Sequence, residues 1–341
     1  MFSNQGYLAL RRRAAIVDRP ERAALRLTGA DRRSYLQGLL TNDIEALSPG
    51  TGCYAALLTP QGRMISDMRV FETGEAIVLD LPAETQPRVR DHLTQFIFSE
   101  DVAVEDIGEK LAVSGVYGPL AASALAAVLA AEAGAARSNQ TAADLEGMPM
   151  LANTCGTLTG AAALLVRSDD VGLAGFDLFL PKMTQAAIAE ALVAAGAIQV
   201  DTDTAEVTRV EAGRPMFGID MDENTIPLEA EITDRAISLT KGCYVGQEVI
   251  IRVLHRGHGR VARRLVGIRL QPSASVPSRG TLLTSGDREV GRITSAVQSP
   301  TVGAPIALGY VLRDFTQPGT VVTVSAESGV QPGTVVPLPF V

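Results

Sequence analysis

Cysteine is scarce in this chain: three in 341 residues, Cys53, Cys155 and Cys243, widely separated and odd in number. Disulfides therefore cannot form its scaffold, and a reducing compartment, the cytoplasm, is expected. Positive charge is also in deficit, with 30 Lys and Arg against 38 Asp and Glu and a formal charge of -8. Broad nucleic-acid binding needs a basic face to displace counterions, so it is not expected. The opening MFSNQGYLALRRRAAIV lacks an apolar core followed by a small-residue cleavage site, and the longest apolar tract, residues 120–136, is interrupted by Glu132. Neither secretion nor a membrane span is expected. No phosphate loop, G-x-G-x-x-G turn or G-x-S-x-G elbow occurs, which leaves nucleotide-dependent and esterase chemistry without local support.

The 46% hydrophobic content over this length predicts two or three domains. LRLTGADRRSYLQGLLTND predicts a strand, a glycine turn and a helix capped by Asp31. CYAALLT, RMISDMRVF and AIVLDL, joined by tight turns, predict an antiparallel meander. Helical patterning follows over residues 84–96, strands near Val102 and over 111–116, and then an Ala-rich helix. Residues 137–147 read as an irregular connection to a second unit, with strands at 161–166 and 176–180 and a helix over 184–195. From Val249 onward, VIIRVL, RRLVGIRL, TLLTSG, EVGRITSA, IALGYVL and VVTVSA predict the evenly spaced strands of a small barrel. The alternation is α+β, without the rhythm of a doubly wound sheet. Domain boundaries are expected at 1–136, 137–248 and 249–341, the first two exchanging segments.

Asp67 lies within RMISDMRVF, where period-two alternation predicts a face shared with Ile65, Arg69 and Phe71. Taken alone it reads more readily as a salt-bridged strand acid. KGCYVGQE (Lys241, Gly242, Cys243, Tyr244, Val245, Gly246, Gln247, Glu248) holds a solitary thiol. Cys243 is either a buried small hydrophobe or a thiolate whose pKa is lowered by Lys241 or by the glycine amides. His255 and His258, with Arg252, Arg256, Arg260, Arg263 and Arg264, read as an exposed basic hairpin that could meet a phosphate, a carboxylate tail or RNA. Asp220, Asp222, Asn224 and Glu231 follow part of a calcium-loop spacing, but Thr225 stands where the turn requires glycine. No metal site is expected.

KGCYVGQE, with the preceding RVEAGRPMFGIDMDENTIPLEA, resembles the YgfZ-type folate-binding proteins, a branch of the superfamily that contains the glycine-cleavage T-protein, an aminomethyltransferase. LTGADRRSYLQGLLTNDI, LLTPQGRMISD, VGRITSAVQSP and IALGYV agree with it along nearly the whole chain. The resemblance implies a three-domain cloverleaf, two α+β domains and a C-terminal β-barrel around a central opening that binds tetrahydrofolate or a one-carbon derivative. It implies that Asp67 sits beside the reactive folate nitrogens, that Asp177 in GFDLFLP holds the pterin, and that Arg209 in R-x-E-A-G pairs with a glutamyl carboxylate. Asp177 is one methylene shorter than the glutamate of that pattern. Asp170 and Leu173 stand where the enzymes carry Tyr and Glu, which argues against ordinary glycine-cleavage chemistry.

The function implied first is a tetrahydrofolate-binding accessory protein for iron-sulfur cluster assembly or repair, supporting iron-sulfur enzymes that include tRNA-modifying ones. Cys243 would be its working thiol, with Asp67 beside it in the chemistry, and iron-sulfur proteins or assembly factors its partners. The chain is expected as a monomer. The alternative is an aminomethyltransferase-like enzyme in which Asp67 does acid-base work on tetrahydrofolate. A third reading is a scaffold without ligand that docks partners through Arg256 and Arg260.

Overall fold

The computed structural model describes every residue except 1, 133–140, 258 and 327–328. The chain opens with α1 (Asn4–Arg12), β1 (Ala15–Asp18), β2 (Arg22–Thr28), α2 (Arg32–Gln37), β3 (Thr51–Leu58), β4 (Met64–Glu72), β5 (Ile77–Pro82), α3 (Gln86–Gln95), β6 (Ala103–Asp106) and β7 (Leu111–Tyr117). Five of these strands form an antiparallel sheet in the order β3-β4-β5-β2-β6, with the meander intact. Helices α2 and α3 cover one of its faces, packing Leu36, Val89 and Leu93 on Leu25, Leu27, Met68 and Leu79. Asp31 precedes α2 but does not cap it. The turn at Gly29, with φ near 103°, lies against the Asp101 carbonyl, and the Asp31 carboxylate accepts the Asp101 N–H at 2.8 Å instead.

The next stretch contains α4 (Ala121–Glu132), α5 (Ala142–Glu146), β8 (Asn153–Leu158), β9 (Ala161–Ser168), β10 (Gly175–Pro181), α6 (Gln185–Ala194), β11 (Ile198–Val200) and α7 (Thr202–Glu211). A six-stranded sheet runs β11-β1-β7-β10-β9-β8, so β1 and β7 from the first part of the chain pair with strands of the second. Helices α4 and α6 bury Leu125, Leu129, Ile188 and Leu192 against Ile16, Val116, Phe176 and Leu178. The connection expected to be irregular contains α5, started by a capping box. The Asp144 N–H bonds the Thr141 hydroxyl, and the Asp144 carboxylate accepts the Thr141 N–H. The uncovered faces of the two sheets meet through Phe71 and Phe179, edge to face at 5.8 Å, with Val78, Val113 and Val166 around them.

Two short helices follow, α8 (Thr233–Ala236) and α9 (Gln247–His255). The strand expected at VIIRVL is thus a helix. Ile250, Val253 and Leu254 recur at helical spacing and join one core cluster with Tyr54, Leu58 and Met64, and a short apolar run alone does not distinguish the two periods. Arg252 and His255 therefore belong to a helix end rather than a hairpin, while Arg263 and Arg264 pair with Glu229 and Glu231. His258 lies outside the described residues. The remaining strands, β12 (Arg263–Leu270), β13 (Leu282–Ser285), β14 (Arg288–Ser299), β15 (Ala304–Leu312), β16 (Val321–Ala326) and β17 (Gly329–Val336), close a barrel in the order β12-β15-β14-β13-β16-β17. Strand β17 escapes sequence reading because Pro332 and Gly333 interrupt its pattern. Among the described residues, no helix is long and apolar enough to cross a membrane.

Candidate functional site

Strand β4 is buried along its whole length, so its polar residues must find partners inside the molecule. A bulge shifts the β3–β4 register between Leu57 and Leu58, so that Leu57 faces Ser66 and Leu58 faces Met64. It turns Ile65 into the core beneath α2 and α3, away from the face expected to hold it beside Asp67. Arg69 and Phe71 remain on the Asp67 face. The Tyr54 hydroxyl on β3 donates to Asp67 Oδ2 at 2.6 Å, and the Arg235 guanidinium lies 5.0 Å from the Tyr54 ring centre. Asp67 Oδ1 is buried and meets no hydrogen-bond partner among the described residues. Burial raises the pKa of this carboxyl; Arg22 and the Tyr54 bond act the other way, and Asp170 and Asp80 reinforce the rise.

Two residues further along β4, Arg69 bonds Asp80, Ser168 and Asp177, and so ties the first sheet to the second. Asp177 on β10 is 0% exposed and accepts the Tyr117 hydroxyl as well. The Tyr117 ring reaches it by crossing Gly115, where a Cβ would stand 2.1 Å from the ring. Arg19 donates to Tyr117 at 2.7 Å and to Asp170 at 2.8 Å. Burial opposes ionisation of Asp177, but Arg69 and Arg19 outweigh it and hold its carboxyl below the usual range. Burial likewise opposes ionisation of Asp170, and Arg69, Arg19 and Arg22 hold it well below that range. Asp170 thus fills its place with an ion pair rather than a ring. Asp67 lies two residues before Arg69 on β4, and Arg69 reaches Asp177 across the seam of the two sheets.

Arg209 on α7 is buried, and its guanidinium is engaged by Glu206, by Asp220 at 2.7 Å, by Ser295 at 2.8 Å and by the Arg214 carbonyl. Asp220 also accepts the hydroxyls of Thr294 and Ser295, and among the described residues no cluster suited to a metal ion occurs. Arg209 and Arg19 line one cavity of about 400 Å³, walled by Val17, Val171, Met216 and Ile219. Sequence reasoning missed Arg19, Tyr54 and Tyr117, because their partners lie on other strands. Tyr54 was within reach, since it shares the hairpin with Asp67.

KGCYVGQE lies against the end of α2, the segment after it and the β3–β4 turn. The Lys241 ammonium donates to the carbonyls of Gln37, Leu40 and Asn42 at 2.6, 2.6 and 2.9 Å, closing the C-terminal end of α2. It also lies 5.2 Å from the Tyr244 ring centre. Burial pushes Lys241 down to about 8, with Asp43 and Cys53 opposing. Gly246 has φ near 85°, and a Cβ there would stand 2.5 Å from the Thr59 carbonyl, so the motif crosses the hairpin backbone where only glycine fits. Gln247 accepts the Tyr244 N–H at 3.1 Å; Gly242 has open space around it; Cys243 and Glu248 are exposed. The hydrogen bonds of Lys241 go to carbonyls rather than to Cys243. The thiol it influences is half-buried Cys53, which burial pushes up to about 12 against the opposing effect of Lys241.

Two outcomes follow. Lys241→Met is expected to lower the stability of the protein by about 2 kcal/mol, read from the urea midpoint, since three carbonyls lose a charged donor. Brief treatment of the native protein with iodoacetamide at pH 8 is expected to label exposed Cys243 and Cys155 and spare Cys53, as read by peptide mass spectrometry.

Residues 2–241 match the family model described as the GCVT N-terminal domain, and residues 263–341 match the glycine cleavage T-protein C-terminal barrel domain. The aminomethyltransferase of Streptomyces coelicolor is 30% identical, over 98% of this chain and 88% of its own length. That of Synechococcus elongatus is 29% identical, over 98% and 87%. The crystal structure of glycine cleavage system aminomethyltransferase T from Bartonella henselae shares the fold, with a TM-score of 0.85 at 22% identity over 99% of this chain and 89% of that one. Relatives matching nearly end to end are named aminomethyltransferase, which overturns the expected accessory role in iron-sulfur assembly and the iron-sulfur partners that went with it.

Proposed function

The chain belongs to the glycine cleavage T-protein family, and from that membership we propose that it is a folate-dependent one-carbon transferase of the aminomethyltransferase kind. The observation that carries this reading is Asp67, a buried carboxyl with one oxygen held by Tyr54 and the other without a partner among the described residues. A buried acceptor without a donor suits a ligand N–H, and tetrahydrofolate fits that requirement. When bound, the folate supplies the nitrogens that receive the one-carbon unit. Asp67 accepts an N–H at Oδ1 and takes or returns a proton there, and its raised pKa brings that exchange closer to neutral pH. Tyr54 fixes the carboxyl plane, and Arg235 steadies the ring of Tyr54.

In this reading Asp177 faces the pterin from the second sheet. Its oxygens already serve Tyr117 and Arg69, and each keeps capacity for a further donor. Arg209 meets a folate carboxylate only by sharing a guanidinium already bonded to Glu206 and Asp220. KGCYVGQE supports a place in the YgfZ-type branch of the family, with Cys243 as its exposed candidate reactive thiol. The testing experiment supplies an aminomethylated lipoyl carrier protein and tetrahydrofolate and follows methylenetetrahydrofolate. Saturable turnover is expected; its absence with a carrier that a known aminomethyltransferase accepts would sink the reading.

A further inference from the structure

A second cavity lies away from the Asp67 seam, between the barrel strands β14 and β15 and the segment from Ile219 to Thr225. Its volume is about 790 Å³, within the range of small-molecule sites, and Arg263, Arg279 and Arg292 line it. Tyr310 lines it too; the residue is only 6% exposed, and among the described residues its hydroxyl meets no hydrogen-bond partner. The Arg263 guanidinium stands 4.8 Å from the Tyr310 ring centre and bonds Glu229 at 3.1 Å, which holds the ring in place. Burial raises the Tyr310 pKa, with Arg263 and the neighbouring Thr225 hydroxyl opposing, and the hydroxyl stays protonated and able to donate.

The charges here are not matched pair by pair. Arg279 donates to the carbonyls of Gly218 and Ile219, which supply no countercharge, and Arg292 faces Glu289 at 3.5 Å on an exposed edge. Arg263 is balanced by Glu229, and Asp220 by Arg209. Asp222 and Glu289 also line the walls, and they disfavour a ligand with a second anionic group beyond its head. The apolar part of the lining comes from Met221, Val290, Ile293 and Val311.

We propose that this barrel cavity is a binding site for a small molecule with one oxyanion head and an apolar body, the head received by Arg279, Arg292 and the Tyr310 hydroxyl. A carboxylate and a phosphate monoester share that chemistry. Among the described residues the Tyr310 hydroxyl is buried without a hydrogen bond of normal geometry, a desolvation cost that an oxyanion acceptor would remove.

The test is calorimetric titration of the full chain with benzoate and with phenyl phosphate, which have the same body and different heads. One site that saturates is expected for at least one of them, with Kd raised about 10-fold or more by Tyr310→Phe and by Arg279→Gln, as removal of a bond to a charged group requires. Arg269→Gln, on an exposed arginine of β12, controls for general electrostatics and is expected to leave Kd within about twofold. Preference for benzoate assigns a carboxylate ligand, and preference for phenyl phosphate a phosphate monoester. Tyr310→Phe removes an unpaired hydroxyl and keeps the ring, so it is expected to fold. Absence of saturable binding to both probes, or binding unchanged in Tyr310→Phe and Arg279→Gln, would overturn the proposal.

Discussion

Asp67→Asn is expected to lower turnover in the one-carbon transfer assay by about 10²- to 10⁴-fold, the usual contribution of a positioned acid-base group, while the protein becomes more stable near neutral pH. The two effects have one cause. Asp67 is buried, and its folded pKa is raised mainly by that burial, so the folded state holds the proton at pH values where the unfolded chain has released it. The contribution of this group to stability is therefore greatest below the unfolded pKa of about 3.9, and it declines as pH rises through the folded pKa. Asparagine has no proton to lose and escapes that decline. Stability curves at several pH values should show wild type and variant converging in acid and separating toward pH 7, with the variant above. A base acting from Asp67 also requires the acid limb of the rate profile to lie above the ordinary carboxylate range, and that limb should vanish in the variant. Full turnover in Asp67→Asn, or an unchanged acid limb, would remove the carboxylate from the chemistry.

The largest structural effect is expected from Arg69→Met. Arg69 is buried and joins Asp80 of one sheet to Asp177 of the other, and both carboxylates are 0% exposed. Loss of one partner from a buried ion pair costs about 3–5 kcal/mol, because the remaining charge is left unpaired in a poor solvent. Arg22 still holds Asp80, and Tyr117 and Arg19 still reach Asp177, so a loss of about 3 kcal/mol, at the lower end of that range, is expected from urea unfolding. The sign of its pH dependence follows from Asp177, whose folded pKa is lowered despite burial because Arg69 and Arg19 favour the charged form. Stability from Asp177 is present above the unfolded pKa and is lost as pH falls through the folded one. Removal of Arg69 takes away the first of those two charges, so the difference between wild type and variant should narrow in acid. A difference that is constant with pH would place the effect in packing rather than in charge.

Much of the architecture was legible because local patterns and the global fold agree. The β3–β4–β5 meander, the helix–strand alternation of the second sheet and the barrel strands after Arg263 all carry their period in the sequence. What escaped was set by tertiary contact. VIIRVL is apolar enough for a strand, and Gly246 followed by packing of Ile250 and Leu254 on Tyr54 and Leu58 makes it a helix. Ile65 changes face through a bulge that no alternation rule contains. At the candidate site, Asp67 and Asp177 could be named in advance, but the groups that set their charge could not. Arg69 acts across the two sheets, Arg19 reaches in from the β1–β2 turn, and Tyr117, on the strand beside Asp177, depends on the bare backbone of Gly115. Lys241 was one of two groups that could have tuned Cys243, and the fold directs it instead to the carbonyls of Gln37, Leu40 and Asn42.

The most direct measurement is an anaerobic calorimetric titration of the protein with tetrahydrofolate, run on wild type and Asp67→Asn in buffers of differing ionisation enthalpy. Saturable binding by the wild type is expected, about 10-fold weaker in the variant, with any proton exchanged on binding by the wild type lost in Asp67→Asn. No binding by the wild type, or identical affinity and proton exchange in both proteins, would contradict the claim that the bare oxygen of Asp67 meets the folate.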